Sequence, residues 1–133
     1  MAETDFKDLA LVGVDEERTV PSPDHPGTAM YHVYLKLSAR PPPAWAEFFT
    51  ERRRFPRHSM WRRAWIEGQY LVVNCPIAEV EQHHLQDLKD DVKETNTEYR
   101  TFAAKEQQKK EAADRAAKAA EEEKRAALKK LKF

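Results

Sequence analysis

Met30–Phe55 reads MYHVYLKLSARPPPAWAEFFTERRRF, and this stretch holds the two periodicities from which the fold is built. Its first residues alternate, with Tyr31, Val33, Leu35 and Leu37 on one side and His32, Tyr34 and Lys36 on the other. Period-2 alternation rich in β-branched and aromatic residues predicts a strand with one buried face. The prolines at 41, 42 and 43 cannot continue that strand, and Pro43 suits the first turn of a helix, where its missing N–H costs little. Trp45, Phe48, Phe49 and Arg52 then recur at helical spacing, which predicts a helix over 44–54 that Phe55 and Pro56 stop.

Working outward, Met60–Glu67 and Gln69–Asn74 predict two strands joined tightly at Gly68. Leu9–Val14 (LALVGV) predicts a short N-terminal strand, and Asp15–Gly27, with three prolines and several charges, a surface loop. The chain changes character after Pro76. All three glycines and all eight prolines lie in the first 76 residues, so Ile77–Phe133 has nothing to interrupt a helix. An unbroken helix of that length would reach roughly 85 Å.

The expected fold is therefore α+β: a small antiparallel sheet, one short helix and a long extended C-terminal helix. Strand, helix, strand, strand, helix is most of a split β-α-β unit of the ferredoxin-like kind, without its final strand. Three segments follow: 1–29 with a short strand and an acidic proline-rich loop, 30–104 as the α+β core, and 105–133 as a charged, alanine-rich helical tail. Along the long helix Leu85, Leu88, Val92, Thr95, Tyr99 and Phe102 form a heptad-like stripe. Beyond Phe102 the stripe fades, and acid–base pairs at i, i+4, such as Glu121–Arg125, are expected to hold the tail.

The 23 basic and 23 acidic residues cancel overall, yet they alternate in blocks. Residues 1–29 carry −5, residues 30–75 +5, residues 76–104 −4 and residues 105–133 +4. Segregated charge favours contact between blocks, within one chain or between copies, and net neutrality argues against nucleic-acid binding by the whole molecule. Cys75 is the only cysteine, so no intrachain disulfide forms, which fits a reducing compartment. No window approaches the apolar length of a membrane span and no signal sequence is apparent, so the expected setting is cytoplasmic, without membrane insertion.

Four groupings could carry function. On the sheet face away from the helices, Tyr34, Trp61, Trp65 and Tyr70 would form an aromatic surface, beside Arg52, Arg53, Arg54, Arg57, Arg62 and Arg63. Aromatics interleaved with cations grip single-stranded RNA or DNA, and the same residues equally mark a protein interface. At this coarse level the architecture looks like an RNA-recognition-motif domain, although the chain lacks that family's glycine–aromatic signature strand. On the long helix, Leu88, Val92, Tyr99 and Phe102 would form a seam against the domain itself or a second copy. The line Glu79, His83, Asp87 and Asp91 has carboxylates and imidazole one turn apart, as a divalent ion requires, but helical geometry turns it to water. Cys75, at the probable helix start, could be a thiolate favoured by the helix dipole, or simply a buried strand end; His32 or His58 would have to supply a base. At the tail, Lys124–Lys132 with Leu128, Leu131 and Phe133 could touch an anionic surface or merely suit the helix dipole.

No serine–histidine–acid set, phosphate-cradling loop or dinucleotide fingerprint is present, and no cofactor is implied. The reading that follows is a non-enzymatic interaction module, a homodimer with a protein partner. RNA or single-stranded DNA binding through the aromatic and arginine face is the alternative.

Overall fold

The computed structural model describes residues 6–133. Its sheet contains β1 (Leu11–Val14), β2 (Val20–Pro21), β3 (Met30–Leu37), β4 (Ala64–Glu67) and β5 (Tyr70–Pro76). Helix α1 spans Pro43–Arg53. After β5 come a short α2 (Ile77–Glu79), a π-helical turn (Val80–His84) and α3 (Leu85–Lys129). Residues Lys7–Tyr99 form one compact unit, and Arg100–Phe133 belong to a second.

Every strand pair is antiparallel, in the order β1-β3-β5-β4, with β2 also on β3. Strands β3 and β4, which α1 connects, thus run parallel with β5 between them. The position beside β3 is filled from the other end of the chain, by β1. Strands β1 and β2 pair with successive parts of β3, and the turn between them returns through Asp15 N–H to Tyr34 O and Tyr34 N–H to Thr19 Oγ1. The segment expected to be all loop therefore includes paired residues. Glu67 faces Tyr70 across a two-residue turn whose first residue, Gly68, has φ +58°, the value a type II′ hairpin requires there.

Strand β4 begins at Ala64, four residues later than its sequence suggests. Arg53 explains the delay. Its Nη2 donates to the Arg62 carbonyl at 2.7 Å, and its guanidinium lies 3.6 Å from the centre of the Trp61 ring. Both residues are thereby held on α1 instead of in the ladder.

One sheet face supplies Val33, Leu35, Leu37, Leu71, Val73 and Cys75 to the core, with Trp45 and Phe49 of α1 and Leu88 and Val92 of α3 also buried. Trp45 and Phe49 stack with centroids 5.7 Å apart. On α1 the third buried residue is Arg53, not Arg52, because the helix face centres on the 45–49–53 line. Asn96 ties three elements together. Its amide accepts from Leu9 N–H at 3.0 Å and from Trp45 Nε1 at 2.9 Å, and donates to Leu9 O at 2.8 Å. A side chain thus stands in for a strand where the chain enters β1.

Candidate interaction surfaces

The arginine-rich segment and the acidic face of α3 meet within one chain. Arg52 pairs with Glu98 at 3.0 Å and Glu94 at 3.6 Å, and Arg62 grips Glu79 through two bonds of 3.0 and 2.9 Å. Arg53 and Arg57 converge on Asp91 at 3.0 and 2.7 Å, and Asp87 lies 3.4 Å from Arg53. Arg54 reaches Glu51 at 3.5 Å. The opposite charges of residues 30–75 and 76–104 are thus brought together by folding. Of the six arginines that could have met phosphates, only Arg63 has no carboxylate partner among the described residues.

This network also relocates the helical carboxylate line. Asp91, expected to face water, is 1% exposed beneath the two arginines. It follows Leu88 by three residues and precedes Thr95 by four, so ordinary α-helical spacing sets it beside the buried stripe, while the π-helical turn before α3 brings residues i and i+5 together. Glu79 Oε1 accordingly lies 3.0 Å from His84 Nε2. The Arg62 hydrogen bond, then His84, holds the Glu79 carboxyl down at about 2. Groups of three or more potential ligands able to hold a metal ion do not occur among the described residues.

Cys75 is fully buried. Burial, and then the nearby Glu79 charge, pushes its thiol up to about 11, opposite to the lowering expected from a helix dipole. The protonated thiol is a poor nucleophile. Desolvation outweighs the dipole here because the side chain points into the core rather than at the helix end.

Tyr34, Trp65 and Tyr70 do share the other sheet face, each half-buried. Trp61 does not join them; it lies before β4 against Arg53, Arg57 and His58. Val72 sits between cross-strand neighbours Tyr34 and Trp65 and is completely covered. Rings meet edge to face: Tyr34 with Tyr70 at 5.5 Å and His32 with Trp65 at 5.1 Å. Arg18 stands 5.0 Å from the Tyr70 ring centre and 5.9 Å from that of Tyr34, and Arg63 stands 5.1 Å from that of Trp65. Carboxylates complete the surface. Tyr70 donates to Asp15 at 2.7 Å, while Glu67 accepts from Trp65 Nε1 at 2.7 Å and from Tyr34 at 3.2 Å. The Tyr70 bond lowers Asp15 and raises the phenol; burial, then Glu67, raises Tyr34. Base stacking would have to displace the guanidinium groups that already occupy these rings.

Of the proposed helix seam, Leu88, Val92 and Tyr99 are buried in the single chain, so folding has already used them. Phe102 lies in the second unit, half-buried. From residue 108 onward every residue of α3 is exposed. Glu121 pairs with Arg125 at 3.3 Å and Lys124 at 3.2 Å, and Glu106 with Lys109 at 3.5 Å. Across the described residues no helix is long and apolar enough to cross a membrane.

A different surface escaped the sequence reading. Beside β1 lies a groove of about 500 Å³, lined by the strand and by Ile77, Val80 and Leu85. Around it Val12 is 63% exposed, Ile77 52% and Val14 46%. The LALVGV run predicts a short strand here, but nothing in it says that the strand forms a sheet edge.

No family model matches the chain, and neither a curated protein nor a solved structure matches it.

Proposed function

We propose that this chain is a cytoplasmic, non-enzymatic interaction module that self-associates through the aromatic face of its sheet. The observation carrying this reading is an asymmetry between the faces. One face is filled by helices, whereas the other is closed only by half-buried Tyr34, Trp65 and Tyr70 over Val72. Amphipathic rings that are partly wet are the residues enriched at protein contacts. Two buried polar atoms on this face, His32 Nε2 and Asn74 Oδ1, lack hydrogen-bond partners among the described residues.

The occupant is a second copy. Arg18 and Arg63 lie among Asp15, Asp24 and Glu67, so the rim presents both signs of charge. A two-fold stacking of the face on itself can set each cation opposite an acid. The exposed stretch of α3 is then available to a protein partner. Nucleic-acid binding has less support, because five of the six arginines are held by carboxylates of the same chain.

Light scattering on the purified chain tests the proposal. A mass near twice 15.5 kDa is expected, falling to the monomer in Arg63→Glu and Trp65→Asp. Arg63→Glu leaves the ring positions intact, so a loss of dimer in that variant is not a folding defect. A wild type that stays monomeric at high micromolar concentration would refute self-association. Bound nucleic acid released by salt would instead favour the RNA reading.

A further inference from the structure

Among the described residues, strand β1 is the outermost on its side of the sheet. An edge presents unpaired backbone groups, and proteins usually guard it with charge, proline or a bulge. Residues Leu11–Val14 include neither charge nor proline. The register against β3 shifts between Leu11 and Gly13, so the single bulge falls at Val12, whose side chain is largely exposed. The edge is therefore short, apolar and lightly protected.

What lies beside it gives the edge a purpose. The groove of about 500 Å³ runs between β1 and the residues Ile77, Val80 and Leu85 that begin the helical segment. A second groove of about 400 Å³ shares Leu11 and Lys89 with the first and continues to Val92 and Lys93. A trough with a strand edge on one wall and a helix on the other is how an extended peptide is bound by strand addition. Backbone bonds to the edge supply affinity, and alternate side chains drop into the trough.

Charge selects the occupant. Lys89 and Lys93 lie one helical turn apart on the trough, and neither has an ion-pair partner among the described residues. They contrast with the arginines of α1 and the following loop, which apart from Arg63 are paired. Asp8 is the one acid lining either groove. A partner strand whose trough-facing residues, every second one, are apolar beside Val80 and Leu85 and acidic beside Lys89 and Lys93 would match both. A second copy of β1 does not fit, because two-fold pairing would line up the lysines of both copies, and like charges there oppose association.

We propose that β1 and the first turns of α3 form a strand-addition site for an extended, apolar–acidic segment of another protein. The site is separate from the aromatic face, and its test separates from the dimer test. A labelled synthetic peptide with valine at two successive trough-facing positions and glutamate at the next two should bind saturably in fluorescence anisotropy, and the same peptide with lysine for glutamate should not. Binding should weaken at least tenfold in the Lys89→Glu, Lys93→Glu double variant, whose exposed positions leave the thermal midpoint unchanged. It should persist in Arg63→Glu whether or not that variant is a dimer. Amide exchange at residues 11–14 should slow when the acidic peptide is bound, the sign that backbone pairing is involved. Equal binding of both peptides, no binding of either, or unchanged exchange along β1 would overturn the proposal. A dimer dissociated by Val12→Asp would do so as well, since it would assign the edge to a second copy.

Discussion

Two stretches of α3 share one backbone conformation and owe it to different causes. Between Leu85 and Tyr99, Leu88, Asp91, Val92, Thr95, Asn96 and Tyr99 are all buried. From residue 108 to Lys129 every residue is exposed. The first stretch is helical because folding requires it. It includes Thr95 and Asn96, weak helix formers whose side chains compete for backbone bonds, and both are satisfied there. Thr95 Oγ1 donates to Asp91 O at 2.7 Å, while Asn96 clamps Leu9 and Trp45. The second stretch is helical by composition. Alanine, lysine and glutamate have high propensity, and each ion pair such as Glu121–Arg125 adds ~0.2–0.5 kcal/mol. Identical secondary structure thus conceals a cooperative segment and a nearly independent one.

The comparison breaks most visibly at Asp91. Removing its carboxylate in Asp91→Ala leaves the Arg53 guanidinium, 3% exposed, with only Asp87 close by among acids. Breaking a buried pair on one side costs about 3–5 kcal/mol. That is a large share of the ~5–15 kcal/mol that stabilises an ordinary domain. Urea unfolding followed by tryptophan fluorescence should show a collapse of the midpoint, with Asp91→Asn milder. A loss below ~1 kcal/mol would mean that the network does not hold the first stretch in place.

Acid should separate the stretches next. Glu79 is held at about 2 in the folded chain against an ordinary value of 4.5, through Arg62 first and His84 second. Because its pKa is depressed by folding, its contribution is complete above the unfolded value and disappears as pH falls from 4.5 towards 2. Tryptophan fluorescence should therefore report a steep loss of stability over that window. Glu79→Gln should start lower at neutral pH and show a flatter acid limb. Equal slopes in the two proteins would contradict the pairing.

The smallest effect on folding is expected in the exposed stretch. Ala116→Gly with Ala117→Gly costs about 1 kcal/mol of local helix stability per site. Circular dichroism should lose helical signal while the tryptophan-monitored midpoint moves by less than ~0.5 kcal/mol. A matching drop in both signals would show that the two stretches unfold as one. Cys75, finally, should resist alkylation in the native state at neutral pH and react readily in denaturant, as a thiol at about 11 in the core demands.

Much of this was written locally. The alternation in Met30–Leu37, the prolines ahead of α1, Gly68 in its hairpin and the glycine- and proline-free stretch after Pro76 each mark an element within a few residues. The alternating charge blocks also anticipated an encounter, and folding realises it between the arginines and α3. The misreadings share another feature. Trp61 seemed to extend a strand and Asp91 to face water. In both cases the deciding contact comes from a residue distant in sequence: Arg53 draws in Trp61 and Asp91.

By itself, then, the amino-acid order determined which segments become strand or helix, because period and propensity act over a few neighbouring residues. It also determined that the last part of α3 needs no core. Tertiary structure alone decided that β1 returns to flank β3, that Asn96 joins Leu9 to Trp45, and that an apolar trough opens beside β1. Those outcomes depend on which surfaces meet across the chain, and pairing between distant segments follows shape and charge that no local pattern records.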